Sequence, residues 1–244
     1  MVAPLHFHQL KWMAQSPAHF RHYLDNPQAK TKALRMGIAV DALVNASGPI
    51  DDPMPEAFQQ ATAAAELKKS EVSPVLGMYN ALRAHRDAWS LLSSGQRQRT
   101  LSWSIAGRQC EGTPDVFTDG ILVDLKTTRS AHPDKFQRDA RWRGYHAQLS
   151  WYRNGLVAAG YPEPHECALV TVENTAPHIV TVFAPLTQRA LEQGEKLWRS
   201  WFERLRVCEE SNEWHGYTSA RVPFDVPDDG EVVLKIDGED VEVE

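Results

Sequence analysis

Eight residues separate Asp115 from Asp124 in the segment EGTPDVFTDGILVDLKTT, and the dipeptide Asp119-Gly120 lies between them. Asp-Gly between apolar runs favours a tight two-residue turn, so the segment folds back on itself as a hairpin. Its first arm is expected over about Glu111 to Phe117. In the second arm Ile121, Val123 and Leu125 point one way, and Leu122, Asp124 and Lys126 point the other. Apolar residues on both faces predict a central strand, in which a charged pair is costly unless it has a task. The hairpin brings Asp115 next to Asp124, and the period of two sets Lys126 beside them. Two carboxylates offer the hard oxygens that Mg²⁺ prefers, and the Leu125 carbonyl offers another. A lysine there can orient an attacking water, help to deprotonate it, or stabilise a charged transition state. The competing reading is an Asp124–Lys126 ion pair on an exposed strand face, a common and weak interaction.

Around this hairpin the pattern changes twice. The first 95 residues read as helices. Ser16-Pro17 offers an N-cap and a proline at the first helical position, opening AHFRHYLDN. A second helix is expected from about Thr31 to Asn45, with Leu34, Ile38 and Val44 inward and Gly37 where a neighbour comes close. PMPEAFQQATAAAELKK and SPVLGMYNALRAHRDAWSLL predict two more, and Gly95 to Arg99 breaks the pattern. From Thr100 alternation takes over, with Leu101, Trp103 and Ile105 on one face. After Pro133 a long helix is expected to about Ala159, then strands in CALVTVEN and HIVTVFAPL. A last helix, Thr187 to Cys208, carries a stripe of Leu191, Leu197, Trp198, Trp201 and Leu205. The fold expected is α/β, a mixed central sheet flanked by helices with a helical N-terminal lobe. Residues 1–221 are expected to form one domain, with 1–95 as the lobe, 100–221 as the core and 222–244 as an acidic tail.

Charge is distributed unevenly. The net charge of −6 includes −8 on residues 222–244, which leaves +2 on residues 1–221. From Lys126 to Arg153, seven bases face only Asp134 and Asp139. A local basic field beside the hairpin steers a polyanion better than global charge would. Arg129, Arg138, Arg141 and Arg143 are the expected phosphate contacts. The tail, DDGEVVLKIDGEDVEVE, alternates enough for a hairpin around Asp237-Gly238, although its charge repels a polyanion. Cys110, Cys167 and Cys208 form no CxxC pair and cannot all be matched in disulfides, which suits a reducing, cytoplasmic setting. No membrane span or signal segment is expected. His6 and His8 lack neighbouring ligands for zinc, and Trp198 and Trp201 are expected in the core.

These residues resemble the PD-(D/E)xK nuclease superfamily and, within it, the phage and prophage exonuclease VIII type, the RecE-like nucleases. MAQSPAHFRHYL and ALRMGIAVDALV resemble that family's N-terminal region, and EGTPDVFTDGILVDLKTTRSA its catalytic hairpin. YHAQLSWYRNGL is similar to its glutamine-bearing helix, and LVTVENTAPHIVTVF and EWHGYT to its later strands and C-terminal segment. The resemblance implies a restriction-endonuclease-like core in which Asp115 and Asp124 bind Mg²⁺, or Mn²⁺, and Lys126 is the catalytic lysine. Gln148 and Tyr152, at i and i+4, would position DNA or the lysine. Where the family usually has histidine at the end of a Gly-x-x-x-His element, GIAVD places Asp41, an oxygen donor and an expected metal ligand. Glu173 is expected to support the sheet. Three cysteines are too few for the iron–sulfur relatives.

The activity implied is 5′ to 3′ digestion of linear double-stranded DNA from its free ends, in phage-type recombination. The resemblance also implies a single-strand annealing partner and a ring-shaped homo-oligomer such as a tetramer. The alternatives are a structure-specific or restriction-type endonuclease, and a non-catalytic DNA-binding recombination protein.

Overall fold

A computed structural model of the chain describes residues 3–26, 29–46, 55–118, 120–224, 232–236 and 239–243, with side chains up to residue 224 other than those of 55–57. The chain opens with β1 (Leu5–His6), α1 (Phe7–Leu10) and α2 (Pro17–Asp25). Ser16 caps α2 as expected, its Oγ accepting from the His19 N–H at 3.2 Å with Pro17 at the first turn. Next come α3 (Lys32–Ala46), α4 (Pro55–Ala65), α5 (Lys69–Ala84) and α6 (Arg86–Ser93). The segment expected as one helix from Ser73 belongs to two. His85 is extended, and its ring accepts from the Ala88 N–H at 3.3 Å, so the same residue closes α5 and caps α6. In α3 the inward face is Met36, Ala39, Val40, Leu43 and Val44. Leu34, expected inward, is 51% exposed, because two positions from Met36 lie on opposite sides of a helix.

The strands that follow are β2 (Gln96–Arg97), β3 (Leu101–Ile105), β4 (Arg108–Gly112), β5 (Val116–Phe117), β6 (Ile121–Thr128), β7 (Glu166–Glu173) and β8 (Val180–Phe183). They form two mixed sheets, β1-β4-β3 and β2-β5-β6-β7-β8, in which β6 and β7 run parallel. The expected strand over Glu111 to Phe117 is therefore two strands in different sheets. Pro114 has no N–H for a ladder, so Thr113-Pro114-Asp115 becomes the crossing between them. The hairpin itself forms as expected, with Val116 opposite Val123 and Phe117 opposite Leu122. Of its turn, Asp119 lies outside the described residues. Gln96–Arg97, read as part of a break, pairs with β5 at the sheet edge.

The expected long helix after Pro133 is α7 (Pro133–Arg143) and α8 (Tyr145–Ala158), separated by Gly144. Gly144 adopts φ 71° and donates its N–H to the last carbonyls of α7. That left-handed turn suits a residue without Cβ. The last long helix, α9 (Gln188–Ser211), buries Leu191, Trp198, Phe202, Leu205 and Cys208. Trp198 is fully buried and Trp201 half-buried against Phe7, whereas Leu197, expected in the stripe, is 37% exposed. The inward positions from Leu191 follow in steps of three or four, which selects Phe202 and rotates Leu197 outward.

The five-stranded sheet is covered on both faces. Val116, Val123, Ala168, Val170 and Val172 pack with the inward residues of α3, α5 and α6. Phe117, Leu122, Cys167 and Leu169 pack with α7 to α9, the small sheet and the N-terminal elements. The helices of the first 95 residues thus divide between the two faces. The three cysteines are free and buried. In the acidic tail, β9 (Val232–Ile236) and β10 (Glu239–Val243) pair antiparallel, as the expected hairpin requires. Its turn residues Asp237 and Gly238 lie outside the described residues. Gly144→Ala should cost about 1–2 kcal/mol of unfolding free energy, read as a lower urea midpoint, because a Cβ disfavours the left-handed conformation.

Candidate active site

The crossing at Thr113-Pro114-Asp115 positions the first acid. Asp115 precedes β5, so the hairpin register sets it beside Asp124 at a point where β5 has not yet begun to pair. There the Leu125 N–H donates to Asp115 Oδ2 at 2.7 Å instead of to a strand carbonyl. A strand residue directs its N–H and carbonyl to the same edge, so the Leu125 carbonyl also faces this gap. Lys126 Nζ lies 2.5 Å from Asp124 Oδ2, with the two side chains 17% and 2% exposed. This is a buried pair, not an exposed-face pair. Asp41 comes from α3, one turn after Gly37, whose position at the β6 residue Thr127 holds that helix close to the sheet.

A fourth residue ties the acids together. Gln98 Nε2 donates to Asp41 Oδ2 at 2.8 Å and to Asp115 Oδ1 at 3.0 Å. Its backbone N–H also donates to the Asp115 carbonyl at 3.1 Å. Gln148 and Tyr152 hydrogen bond to each other at 2.9 Å on the α8 face nearest the acids. They line a cleft of about 280 Å³ with His6, Phe7, His8, Glu111, Gly112 and Thr113. A larger groove of about 710 Å³ between α7, β8 and α9 contains none of the acids.

Crowded negative charge dominates the electrostatics. Burial, and then the neighbouring Asp124, pushes the Asp41 carboxyl up to about 6, while Lys126 opposes the shift. Burial, with Asp124 and Asp41 beside it, holds Asp115 well above the ordinary carboxylate range. Burial works against the charge on Lys126, but Asp124 and Asp115 more than offset it and raise its pKa. Lys126 is thus held as an ammonium, 5.0 Å from the centre of the Tyr145 ring. Burial and Asp124 keep the Tyr152 hydroxyl protonated.

The donor set suits a hard divalent cation: three carboxylates and a main-chain carbonyl. Asp124 Oδ2 is buried without an aligned hydrogen bond. Among the described residues no three His, Cys, Asp or Glu side chains are gathered closely enough to hold an ion as they stand. The Lys126 ammonium supplies positive charge among the acids, and the neutral Gln98 amide supplies hydrogen-bond donors.

The expected phosphate contacts separate. Arg129, Arg138, Arg141 and Arg143 are all exposed. Arg143 acts on the site side, lowering the pKa of Lys11 after burial and Lys126. Arg141 borders the larger groove instead. Glu173 supports the sheet as expected, accepting from the Ala131 N–H at 2.8 Å. His6 stacks on His8 and lies 3.7 Å from Glu111.

Sequence reasoning missed Gln98, Lys11, Tyr145 and Trp142. Tyr145 could have been found, since it shares a helical face with Gln148 and Tyr152 at i, i+3 and i+7. Trp142, 91% exposed between Arg141 and Arg143, could also have been flagged by its basic neighbours. Gln98 and Lys11 carried no signal, because only the folded chain brings Gln98 to the acids and Lys11 toward Lys126.

A mixed sheet covered on both faces, with PD and DxK acids meeting at its β5–β6 hairpin, defines the restriction-endonuclease-like, PD-(D/E)xK class of nuclease fold. The chain belongs to the family described as PDDEXK-like domain of unknown function (DUF3799), whose profile matches residues 7–220. Members of the PD-(D/E)xK class generally use divalent metals. A solved structure from Eubacterium rectale, described as "Putative exonuclease", shares the fold with a TM-score of 0.71. It is 14% identical over 91% of this chain and 91% of its own. A second solved structure, SSO0001, is 12% identical over 74% of this chain and 80% of its own. Its TM-score of 0.29 carries no argument. No curated protein matches the chain.

The raised pKa of Asp41 fixes two expectations. Folding favours its protonated form, so its contribution to the stability of the metal-free protein falls as pH rises from 3.8 through about 6. Asp41→Asn should therefore raise metal-free stability at pH 7.5 by about 1–3 kcal/mol in urea titrations, a difference that vanishes near pH 4. Metal affinity of the wild type, followed calorimetrically, should rise with pH through about 6 as Asp41 ionises, and should keep rising above that because Asp115 still holds its proton there.

Proposed function

We propose that this chain is a metal-dependent deoxyribonuclease that digests linear double-stranded DNA from its ends, 5′ to 3′, in the manner of the RecE-like nucleases. The observation that carries the reading is the meeting of Asp41, Asp115, Asp124 and Lys126 at one end of the central sheet, in a chain of the PDDEXK-like family. The exonuclease description of the solved relative from Eubacterium rectale favours end-dependent digestion. A divalent cation, Mg²⁺ or Mn²⁺, held by Asp41, Asp115, Asp124 and the Leu125 carbonyl would supply Lewis acidity and lower the pKa of bound water.

The chain's own residues do the rest. Lys126 is held charged by Asp124 and Asp115 in the metal-free protein, so it enters the site as a cation. Its ammonium offsets negative charge developing on the phosphate oxygens and orients the attacking water. Tyr152 and Gln148 offer neutral hydrogen-bonding groups along the adjoining cleft, suited to fixing the DNA backbone. Arg143, on the side of Lys11 and Tyr145, offers a phosphate contact, and the exposed Trp142 next to it in sequence offers a stacking surface. A ring-shaped homo-oligomer and a single-strand annealing partner belong to the same reading and rest on the family resemblance. Among the described residues no helix is long and apolar enough to cross a membrane.

End-labelled linear duplex, with or without a 5′ phosphate, and covalently closed circular duplex should be given to the purified protein with Mg²⁺ or Mn²⁺. Progressive loss of the linear form with an intact circle is expected, and rapid loss of the circle would favour an endonuclease. Lys126→Ala and Asp124→Ala should each lower the rate by about a thousandfold or more. Equal hydrolysis by these variants sinks the site assignment. In Ca²⁺, Arg143→Ala should weaken duplex binding and reduce the slope of log affinity against log salt by about 1, with a smaller effect from Arg141→Ala.

A further inference from the structure

Gln98 combines three features that a bystander has no reason to share. Its side-chain amide spends both N–H groups on two different carboxylates, Asp41 Oδ2 at 2.8 Å and Asp115 Oδ1 at 3.0 Å. Its main chain is fastened to the residue it serves, through the hydrogen bond from its N–H to the Asp115 carbonyl. Its φ is 48°, in the left-handed region where Gly or Asn is the usual occupant. A turn selected for conformation alone would carry one of those residues. Glutamine accepts the backbone strain and gains an amide that reaches both acids, and such strain clusters at functional sites.

The amide has a second, opposite face. A glutamine side chain ends in a donor and an acceptor of nearly the same shape, and its terminal torsion is broad and roughly two-fold. Facing bare carboxylates, only the NH₂ end is favourable. Facing a cation drawn in by the same carboxylates, only the oxygen end is favourable, and amide carbonyls are ordinary ligands of hard divalent ions.

We propose that Gln98 is an additional ligand of the metal pocket, donating its amide N–H groups to Asp41 and Asp115 without metal and turning Oε1 toward the cation when one binds. The inference rests on the metal-site reading above. It explains why the acids are not gathered as a ready cage among the described residues: the amide stands between two of them until the ion arrives. It also gives the pocket a neutral oxygen that adds no charge to an already crowded set of carboxylates.

The test uses the purified full chain and Mn²⁺ as the probe, titrated calorimetrically at pH 7.5 after metal removal. Gln98→Gly keeps the left-handed backbone without strain, so it should fold at least as well as the wild type while losing the amide. Its Mn²⁺ affinity should fall about tenfold or more. Gln98→Glu keeps an oxygen at the same reach and should bind Mn²⁺ as tightly as the wild type or more tightly. In the wild type, the Gln98 side-chain amide signal in an ¹H–¹⁵N spectrum should move on addition of Mg²⁺. Unchanged or tighter Mn²⁺ binding by Gln98→Gly overturns the proposal, and so does an unmoved amide signal at saturating Mg²⁺. A wild type that binds no Mn²⁺ overturns the metal site and this proposal together. Mn²⁺ binding with the expected variant pattern but no DNA hydrolysis upholds the ligand assignment and removes the nuclease reading.

Discussion

Three carboxylates crowded at one end of a sheet, Asp124 buried and Asp41 and Asp115 half-buried, repel one another, so the fold must supply positive charge and donors at that point. Lys126 and the Leu125 N–H, neighbours on β6, and Gln98 Nε2, from the chain just after β2, provide them here. The compensation is incomplete, which is why Asp41 and Asp115 hold their protons far above the ordinary carboxylate range. A site of this kind stores electrostatic free energy that a divalent cation releases. It is poorly suited to structural stability and well suited to binding metal.

The architecture around the acids follows from that need. The main sheet is covered on both faces, which buries Asp124, yet β5 is only two residues long and leaves part of the β6 edge unpaired. The Leu125 main chain faces that opening, and Asp115 enters it from the Pro114 crossing. α3 delivers Asp41 from one face, while α8 delivers Tyr152 and Gln148 from the other. The site therefore depends on both layers at once.

Much of this was legible beforehand because hairpins are local. Asp-Gly and strand alternation set the β5–β6 register, and the register alone predicted that Asp115, Asp124 and Lys126 meet. The Ser16 cap, the free cysteines and the two later strands follow from equally local chemistry. Breaks inside apparently continuous helices were harder to see. Gly144 and His85 act through backbone conformation, and the residues around them are good helix formers on either side. The division of Glu111–Phe117 between two sheets was hidden for a similar reason, since Pro114 ends a ladder without saying where the chain goes next.

Asp41 entered through the family resemblance; sequence by itself determined two acids and a lysine on one hairpin, with a basic stretch beside them. Those follow from side-chain type and from periods of two and 3.6, which need no knowledge of distant contacts. Only the tertiary structure decided that the Asp124–Lys126 pair is buried, that Arg143 and not Arg141 lies toward the acids, and that Gln98 links Asp41 to Asp115. Burial, electric field and a hydrogen bond spanning 57 residues are properties of packed layers. They come into being when chain segments far apart in sequence exclude water together.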